Sequence, residues 1–334
     1  MKVLLKTALV CGAVAVALTS AQAADVTLRL GLSSFKPHPF NDAAERFAAK
    51  VDELSNGSID IQIFPDRQLG GVKELTEGVR FGTVDMTINS SSAMADQIPG
   101  VNALQFPFLV DGYSEFADLV VTPEAQALYE GLGKSGAIAL TIYEGGQRHF
   151  LTVDKPVTSM DGFKGLKTRV APVRLHLDVF KALGTNPTPM AYGEVYTGLE
   201  THALDAVETN ISSIAAEKYS EVAKQVLLTG HYFWPGLLMI NKAKYDSLTP
   251  EQQQILHTAA LETVKPQIQA LDAYDKDLMK KLEAESGVTF VEPTPEMRQQ
   301  MIEAVQPVYD AYMDSDPTIA PFVAKAKAIG QKAD

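Results

Sequence analysis

The sequence predicts an α/β protein of two lobes with a ligand cleft between them. Strands and helices alternate over residues 26–88 and again over residues 137–207, the pattern of parallel sheets flanked by helices. The chain of 334 residues is long enough for two domains that each bury a core. Two lobes fit these observations better than one long sheet, and a cleft between two lobes is the expected place for a small ligand.

The first alternation has the order strand, helix, strand, helix, strand. Residues 26–32 predict a strand, and Pro39 begins a helix with apolar residues at helical spacing that Asn56-Gly57 ends. A second strand is predicted over residues 59–64. The remaining two elements are a helix from about residue 72 to residue 80 and a strand over residues 84–88.

The second alternation begins with a strand and continues in the same order. Its predicted elements are a strand over 137–143, an extended segment over 166–170, a helix over 175–183, a helix from about Gly193 and a strand over 204–207. We expect the two lobes to be joined by several crossings of the chain, because no low-complexity linker separates them.

A long helical segment over residues 249–286 could cross both lobes. Thr249 is predicted as its N-cap, and Gln252 completes a capping box with it. Gly287 ends the segment. Pro266 predicts a kink inside it, because proline removes a helical hydrogen bond.

The first 23 residues predict a signal peptide and therefore a periplasmic protein. Lys2 and Lys6 give a basic start, residues 7–18 are almost wholly apolar, and Ala21-Gln22-Ala23 offers small residues for cleavage. The apolar run is shorter than the roughly 20 residues that a membrane-spanning helix needs. Cys11 would leave with the leader, so the mature chain should contain no cysteine.

The charge balance argues against nucleic acid and anionic membrane as partners. The formal net charge of −12 becomes −14 once the two leader lysines are lost. An acidic protein that binds an anion must do so with a few well-placed cations, which makes individual arginines informative. We expect a monomer.

Enzyme and metal motifs are missing from the sequence. It has neither the Gly-x-Gly-x-x-Gly nor the Gly-x-Ser-x-Gly pattern, and its six histidines never pair at metal-ligand spacing. Asp205 and Glu208 are three residues apart on a predicted strand and so face opposite sides, and we interpret one as a partner for a neighbouring N–H and the other as exposed. We therefore expect no catalytic residue, cofactor or metal.

Three segments together resemble the DctP-type solute receptors of TRAP transporters, which are tripartite periplasmic carriers. The resembling residues are Asp66-Arg67-Gln68-Leu69-Gly70-Gly71 with Gly82-Thr83-Val84-Asp85-Met86 and Phe106-Pro107-Phe108-Leu109, then Gly165-Leu166-Lys167-Thr168-Arg169-Val170, then Ala182-Leu183-Gly184, Pro187-Thr188-Pro189-Met190, Glu194-Val195-Tyr196 and Leu204-Asp205-Ala206-Val207-Glu208. The resemblance covers nearly the whole mature chain. It implies two lobes of the periplasmic binding protein fold, the first formed by residues 24–146 and 235–274 and the second by residues 147–234 and 275–334.

The resemblance also implies which residues bind the ligand. Arg169 matches the family arginine that grips a carboxylate, a task for which a planar guanidinium is suited because it donates two parallel hydrogen bonds. Arg148 matches a second arginine that orients the same carboxylate. The resemblance also points to Tyr192, Glu208, Thr209 or Asn210, and His231. Apart from the resemblance, we expect three small polar residues at strand ends facing the cleft, Ser33, Asn89 and Ser90, and we add His38 near the cleft mouth and the cation Lys73.

The implied function is capture of an organic carboxylate for the small and large membrane subunits of a TRAP transporter. Side chains that could read hydroxyl groups favour a hydroxylated sugar acid, such as a uronic or aldonic acid. A C4-dicarboxylate also fits, because Arg148, Arg174 or Lys73 could hold a second carboxylate. A receptor that presents its ligand to a sensor kinase and a periplasmic enzyme acting on a sugar acid are further alternatives.

Overall fold

The computed structural model describes residues 24–331, so the predicted signal peptide lies outside the described residues. The strands are β1 (Val26–Leu32), β2 (Ile59–Phe64), β3 (Met86–Ser90), β4 (Ala137–Thr152), β5 (Lys167–Val170), β6 (Asn186–Pro189), β7 (Ala206–Asn210), β8 (Gln225–Leu227), β9 (Phe233–Asn241) and β10 (Thr289–Val291). The helices are α1 (Pro39–Ser55), α2 (Val72–Phe81), α3 (Tyr113–Leu119), α4 (Pro123–Ala127), α5 (Arg174–Ala182), α6 (Val195–Glu200), α7 (Ile211–Ala216), α8 (Lys242–Asp246), α9 (Pro250–Gln269), α10 (Leu271–Ser286), α11 (Pro295–Met313) and α12 (Ile319–Gly330).

The first lobe is built on a sheet with the strand order β2-β1-β3-β9-β4. Strand β1 pairs in parallel with β2 and β3, and β9 runs antiparallel to both β3 and β4. The predicted apolar face of α1 is confirmed, since Phe40, Phe47 and Val51 are buried in the core of this lobe. The strand expected over residues 84–88 is present but begins at Met86.

The second lobe is built on the strand order β4-β7-β5-β6, with β8 and β10 added beside β4. Strand β5 pairs in parallel with β6 and β7, so the carboxyl ends of these strands lie at one edge of the sheet. Strand β4 is much longer than the predicted 137–143, because it leaves the first sheet and continues into the second. An irregularity in its pairing between Glu144 and Gln147 marks the passage.

Three of the chain segments that cross between the lobes meet at Glu144. The Glu144 carboxylate accepts the N–H of Trp234 at 2.7 Å, and Trp234 belongs to the second crossing, where the chain enters β9. The Glu144 backbone is bonded on both sides to the amide of Gln267 in α9, the third crossing, at 3.1 and 2.8 Å. All three crossings are therefore fixed to one buried residue.

The long carboxyl-terminal helix differs from the prediction in one respect. The capping box of Thr249 with Gln252 and the end at Gly287 are confirmed. The helix is interrupted at Ala270, one turn after Pro266, and so forms α9 and α10. Pro266 itself stays inside α9, because a proline removes only one of the helix's hydrogen bonds.

The end of the chain corrects the expected lobe boundary. Helix α10 packs against α7, and α11 packs against α5, both in the second lobe. Helix α12 instead packs against α3 and α4, which belong to the first lobe, although residues 275–334 were assigned to the second. The apolar face of α12, which includes Phe322, is buried by this packing against α3 and α4.

Candidate ligand-binding cleft

A cavity of about 640 Å³ lies between the two lobes. Its first-lobe lining comes from the start of α2 and from the segments after β3, and its second-lobe lining comes from β4, the end of β5 and the start of α5. The polar and aromatic lining includes Arg67, Lys73, Ser90, Ser92 and Gln105, together with Arg148, Arg169, His176, Tyr192 and Trp234.

Arg169 stands near the carboxyl end of β5, where parallel α/β sheets commonly bind ligands. Its Nε–H donates to the carbonyl of Met190 at 3.0 Å, which fixes the plane of the guanidinium. Its Nη1 lies 3.7 Å from Oε1 of Glu208. The group therefore keeps N–H donors for a carboxylate in the cavity.

Arg148 lies on β4 and is held more tightly. Its Nε donates to Oε2 of Glu208 at 2.7 Å, and its Nη2 donates to the carbonyl of the same residue at 2.6 Å. Its guanidinium also lies over the ring of Trp234, 5.1 Å from the ring centroid. Arg148 is thus oriented by contacts on both sides before any ligand arrives.

Glu208, between the two arginines, is wholly buried and is not among the residues that line the cavity. Burial alone would raise the pKa of this carboxyl, but Arg148 above all holds the pKa below its ordinary value. The hydroxyl of Tyr232 donates to it at 2.8 Å. Our interpretation of Asp205 and Glu208 was therefore half wrong, since Asp205 does accept the Lys167 N–H at 2.8 Å but Glu208 is the buried counter-charge of the arginines.

We call Arg148, Arg169 and Glu208 the arginine cluster. Its two guanidinium groups face one carboxylate, so its net charge is one positive charge. The neighbouring histidines do not add to this charge at neutral pH, because burial lowers the pKa of His176 to about 4. Burial raises the pKa of Glu144, and its carboxyl group accepts the backbone N–H groups of Gly146 and Trp234 and not those of the arginines. A buried excess charge is costly unless it is paired, which favours an anion in the cavity.

The start of α5 adds backbone donors to the same end of the cavity. Residues 171–173 line the cavity immediately before the helix. The N-cap residue Val173 has no side chain that can accept a hydrogen bond, so no side chain caps the first turn of α5. N–H groups at a helix start and the positive end of the helix dipole favour a negatively charged group.

Five of the expected site residues line the cavity, namely Arg169, Arg148, Tyr192, Ser90 and Lys73. The Tyr192 hydroxyl is bonded to Ser213 at 2.9 Å, and its ring packs edge-on against Trp234. The seven that do not line it are Glu208, Thr209, Asn210, His231, Ser33, Asn89 and His38.

Two of these seven are amides that hold the backbone. Asn89 donates from Nδ2 to the carbonyl of Val72 at 2.7 Å and so fixes the start of α2. Asn210 donates to the carbonyl of Gly145 at the point where β4 passes between the sheets. Thr209 and Ser33 are buried as well, and neither Thr209 nor Asn210 is among the residues that line the cavity.

Two histidines lie behind the cavity wall. His231 shares a hydrogen bond of 2.6 Å between its Nδ1 and the hydroxyl of Thr229. His38 accepts the N–H of Phe40 at 3.2 Å as the N-cap of α1, and its ring lies edge-on to Trp234. Both residues support the residues that reach the ligand cavity.

Four residues that line the cavity were not predicted as site residues, namely Arg67, Ser92, Gln105 and His176. Arg67 reaches across the cleft and pairs with Glu217 of the second lobe at 2.9 Å. Arg67 belongs to the quoted segment that begins at Asp66, and a charged side chain on a connecting loop was a usable signal. In the structure Asp66 and Arg67 both have positive φ angles. Nothing in the local pattern marks Gln105 or His176.

Neither a candidate membrane-spanning helix nor a group of side chains placed to hold a metal ion is found within residues 24–331.

Comparisons with known proteins agree with this architecture. A family model described as bacterial extracellular solute-binding protein, family 7 (DctP) matches residues 34–316. The 2,3-diketo-L-gulonate-binding periplasmic protein YiaO of Escherichia coli (strain K12) is 36% identical over 244 residues, which are 73% of this chain and 74% of that protein.

Two solved structures share the fold over almost their whole length. The sugar acid binding protein DctPAm from Advenella mimigardefordensis, in complex with galactonate, has a TM-score of 0.86 at 27% sequence identity and covers 92% of this chain and 100% of that chain. A TRAP periplasmic solute binding protein from Sulfitobacter sp. NAS-14.1, with bound β-D-galacturonate, has a TM-score of 0.82 at 29% identity and covers 90% of this chain and 99% of that chain.

Proposed function

The chain belongs to family 7 of the bacterial extracellular solute-binding proteins, the DctP family, and from this membership we propose that it captures a sugar acid in the periplasm for a TRAP-type secondary transporter. The observation that carries the proposal is the arginine cluster, whose uncompensated positive charge faces a cavity between two lobes. The ligand carboxylate accepts hydrogen bonds from Arg169 and lies beside the start of α5.

The rest of the lining favours hydroxyl groups over a second carboxylate. Glu74, Glu77 and Asp96 line the cavity and accept hydrogen bonds from hydroxyls, whereas they repel another carboxylate. Four further cations line it, namely Arg67, Lys73, Arg80 and Arg174, but Arg67 is already paired with Glu217 and Arg174 with Asp178, each at 2.9 Å. The solved relatives with bound galactonate and galacturonate support the same choice.

Binding and release leave the sugar acid chemically unchanged in this proposal. The family consists of solute-binding receptors, and the arginine cluster pairs charges without holding a nucleophile against the cavity. The acid is then delivered to the small and large TRAP membrane subunits. Recovery of the acid intact by mass spectrometry after prolonged incubation is expected, and a new product would show an enzyme instead.

The proposal is tested by a ligand panel in thermal-shift and calorimetric measurements. D-Galactonate, D-galacturonate and L-gulonate are compared with succinate and with galactitol, which keeps the hydroxylated chain but lacks the carboxylate. A sugar acid at one hundred times its Kd should stabilise the fold by about 2.7 kcal/mol, because it binds only the folded chain. Galactitol should give no shift. If succinate alone stabilised the fold, the ligand would be a dicarboxylate and not a sugar acid.

We also expect ligand binding to close the lobes and to change the emission of Trp234, the one tryptophan in the sequence. Trp234 lines the cavity, lies at a crossing and contacts Arg148 and Tyr192. A ligand that touches both lobes favours the closed arrangement by its differential affinity for it. Saturation at one ligand per chain should therefore shift the emission and reduce the radius of gyration in solution scattering. An unchanged scattering profile at saturation would contradict hinge closure.

A further inference from the structure

We propose that His176 and Gln105 select the hydroxyl pattern of the ligand, with His176 binding the hydroxyl next to the carboxylate and Gln105 binding a hydroxyl on the opposite side of the cleft. This inference rests on the proposed function. Both side chains line the cavity, and they come from different lobes. Neither is part of the arginine cluster.

His176 is fixed beside the arginine cluster. It is the third residue of α5, and its ring stacks on that of Tyr232 at 5.2 Å between centroids and 11° between planes. The Tyr232 hydroxyl donates to Glu208, which in turn accepts from Arg148. A carboxylate bound by the arginines therefore places its adjacent carbon atom, and the hydroxyl on that carbon, next to His176.

The imidazole of His176 is 98% buried, yet neither ring nitrogen has a hydrogen-bond partner among the described residues. Burial lowers the pKa of His176 to about 4, so the ring is neutral at pH 7 and carries one donor and one acceptor. A hydroxyl can both donate and accept, and it matches such a ring whichever nitrogen holds the proton. A methylene group at the same place would leave the buried nitrogen unpaired.

Gln105 presents the matching feature from the first lobe. It ends the 3-10 helix Pro99–Gln105, is 99% buried, and its Oε1 has no hydrogen-bond partner among the described residues. An amide oxygen only accepts, so it requires a donor from the ligand. A hydroxyl supplies one, whereas an ionised second carboxylate does not.

These unpaired groups give the cleft a way to reject close analogues. A site built to hydrogen-bond a hydroxyl discriminates strongly against the analogue that lacks it, because the protein groups are then left buried and unpaired. The arginine cluster cannot discriminate in this way, since every candidate acid carries the carboxylate that it recognises. His176 and Gln105 are therefore assigned the selection of hydroxyl positions among acids, beside the lining carboxylates that disfavour a second carboxylate.

The test uses calorimetric Kd values for D-galactonate and its 2-deoxy analogue on three proteins: the unchanged chain, His176→Phe and Gln105→Leu. Phenylalanine keeps the ring that stacks on Tyr232 and removes the nitrogens. The unchanged chain should bind D-galactonate at least roughly tenfold more tightly than the 2-deoxy acid. His176→Phe should lose this preference by weakening only D-galactonate. Gln105→Leu should weaken both acids by about tenfold and keep their ratio.

The outcomes separate this inference from the proposed function. If His176→Phe keeps the preference for D-galactonate, or weakens both acids equally, the assignment of His176 is overturned while sugar-acid binding stands. If Gln105→Leu binds D-galactonate unchanged, the assignment of Gln105 is overturned. If the unchanged chain binds no sugar acid, the proposed function fails and this inference fails with it. His176→Gln keeps a donor and an acceptor and should recover part of the preference, which a purely structural role for the ring would not produce.

Discussion

Replacing Arg169 by lysine is expected to weaken sugar-acid binding by about 2 kcal/mol or more, or roughly thirtyfold in Kd. The positive charge stays, but an ammonium is a point charge and cannot donate two parallel hydrogen bonds to a carboxylate. Lysine also cannot reproduce the Nε–H bond to the Met190 carbonyl together with donation into the cavity. Calorimetry with D-galactonate measures the loss, and Arg169→Ala should lose more.

Arg174→Lys provides a matched control for this experiment. Arg174 lines the same cavity, but its side chain is 81% exposed and is paired with Asp178 at the surface. The same substitution there should change the Kd little, because exposed ion pairs contribute only about 0–1 kcal/mol. Equal losses of affinity at Arg169 and Arg174 would show that any arginine-to-lysine change near the cavity has this effect. Arg169 would then not be the residue that binds the ligand carboxylate.

Replacing Glu208 by glutamine is expected to destabilise the unliganded protein by about 3 kcal/mol or more, because the two guanidinium groups then lose their buried counter-charge. The NH2 group of the glutamine amide would also face the N–H donors of the arginines, which need an acceptor there. Urea unfolding at neutral pH measures the loss. A sugar acid should restore more stability to this variant than to the unchanged chain, since the ligand carboxylate becomes the one anion of the cluster.

The same ion pair predicts a dependence on pH. Because the pKa of Glu208 is lowered in the folded chain, its pairing stabilises the fold fully above the ordinary glutamate value of 4.5. This stabilisation is lost progressively as the pH falls from there towards the lower pKa of the folded chain. The stability difference between the unchanged chain and Glu208→Gln should therefore shrink in acid. Asp205→Asn, on the same segment but partly exposed, should cost only about 1 kcal/mol and serves as the control. A difference between the chain and Glu208→Gln that is independent of pH would contradict the depressed pKa.

Local signals in the sequence account for much of the fold. The face of α1 and the capping box at Thr249 depend on neighbouring residues and were predicted correctly. Strand β9 was missed, because it is buried along its whole length, shows no alternation, and contains Pro235 and Gly236, which usually break strands. The length of β4 depends on its pairing with strands of two sheets, and the local sequence pattern does not predict such long-range pairing.

The candidate site was predictable only where a motif named its residues. Arg148 and Arg169 were proposed by resemblance, and the structure brings them to one buried carboxylate. His176 and Gln105 were not found, because their significance lies in having no partner, which is a property of the folded chain. Asn210 was misplaced because polar residues at strand ends can equally serve the backbone, as its bond to Gly145 shows.

A crystal structure of the chain with D-galactonate tests the central claim most directly. The account predicts one molecule in the cleft, its carboxylate within hydrogen-bond distance of the terminal nitrogens of Arg169, beside Arg148 and the start of α5, with hydroxyls facing His176 and Gln105. A ligand bound with its hydroxylated end against the arginines, or bound outside the cleft, would contradict it.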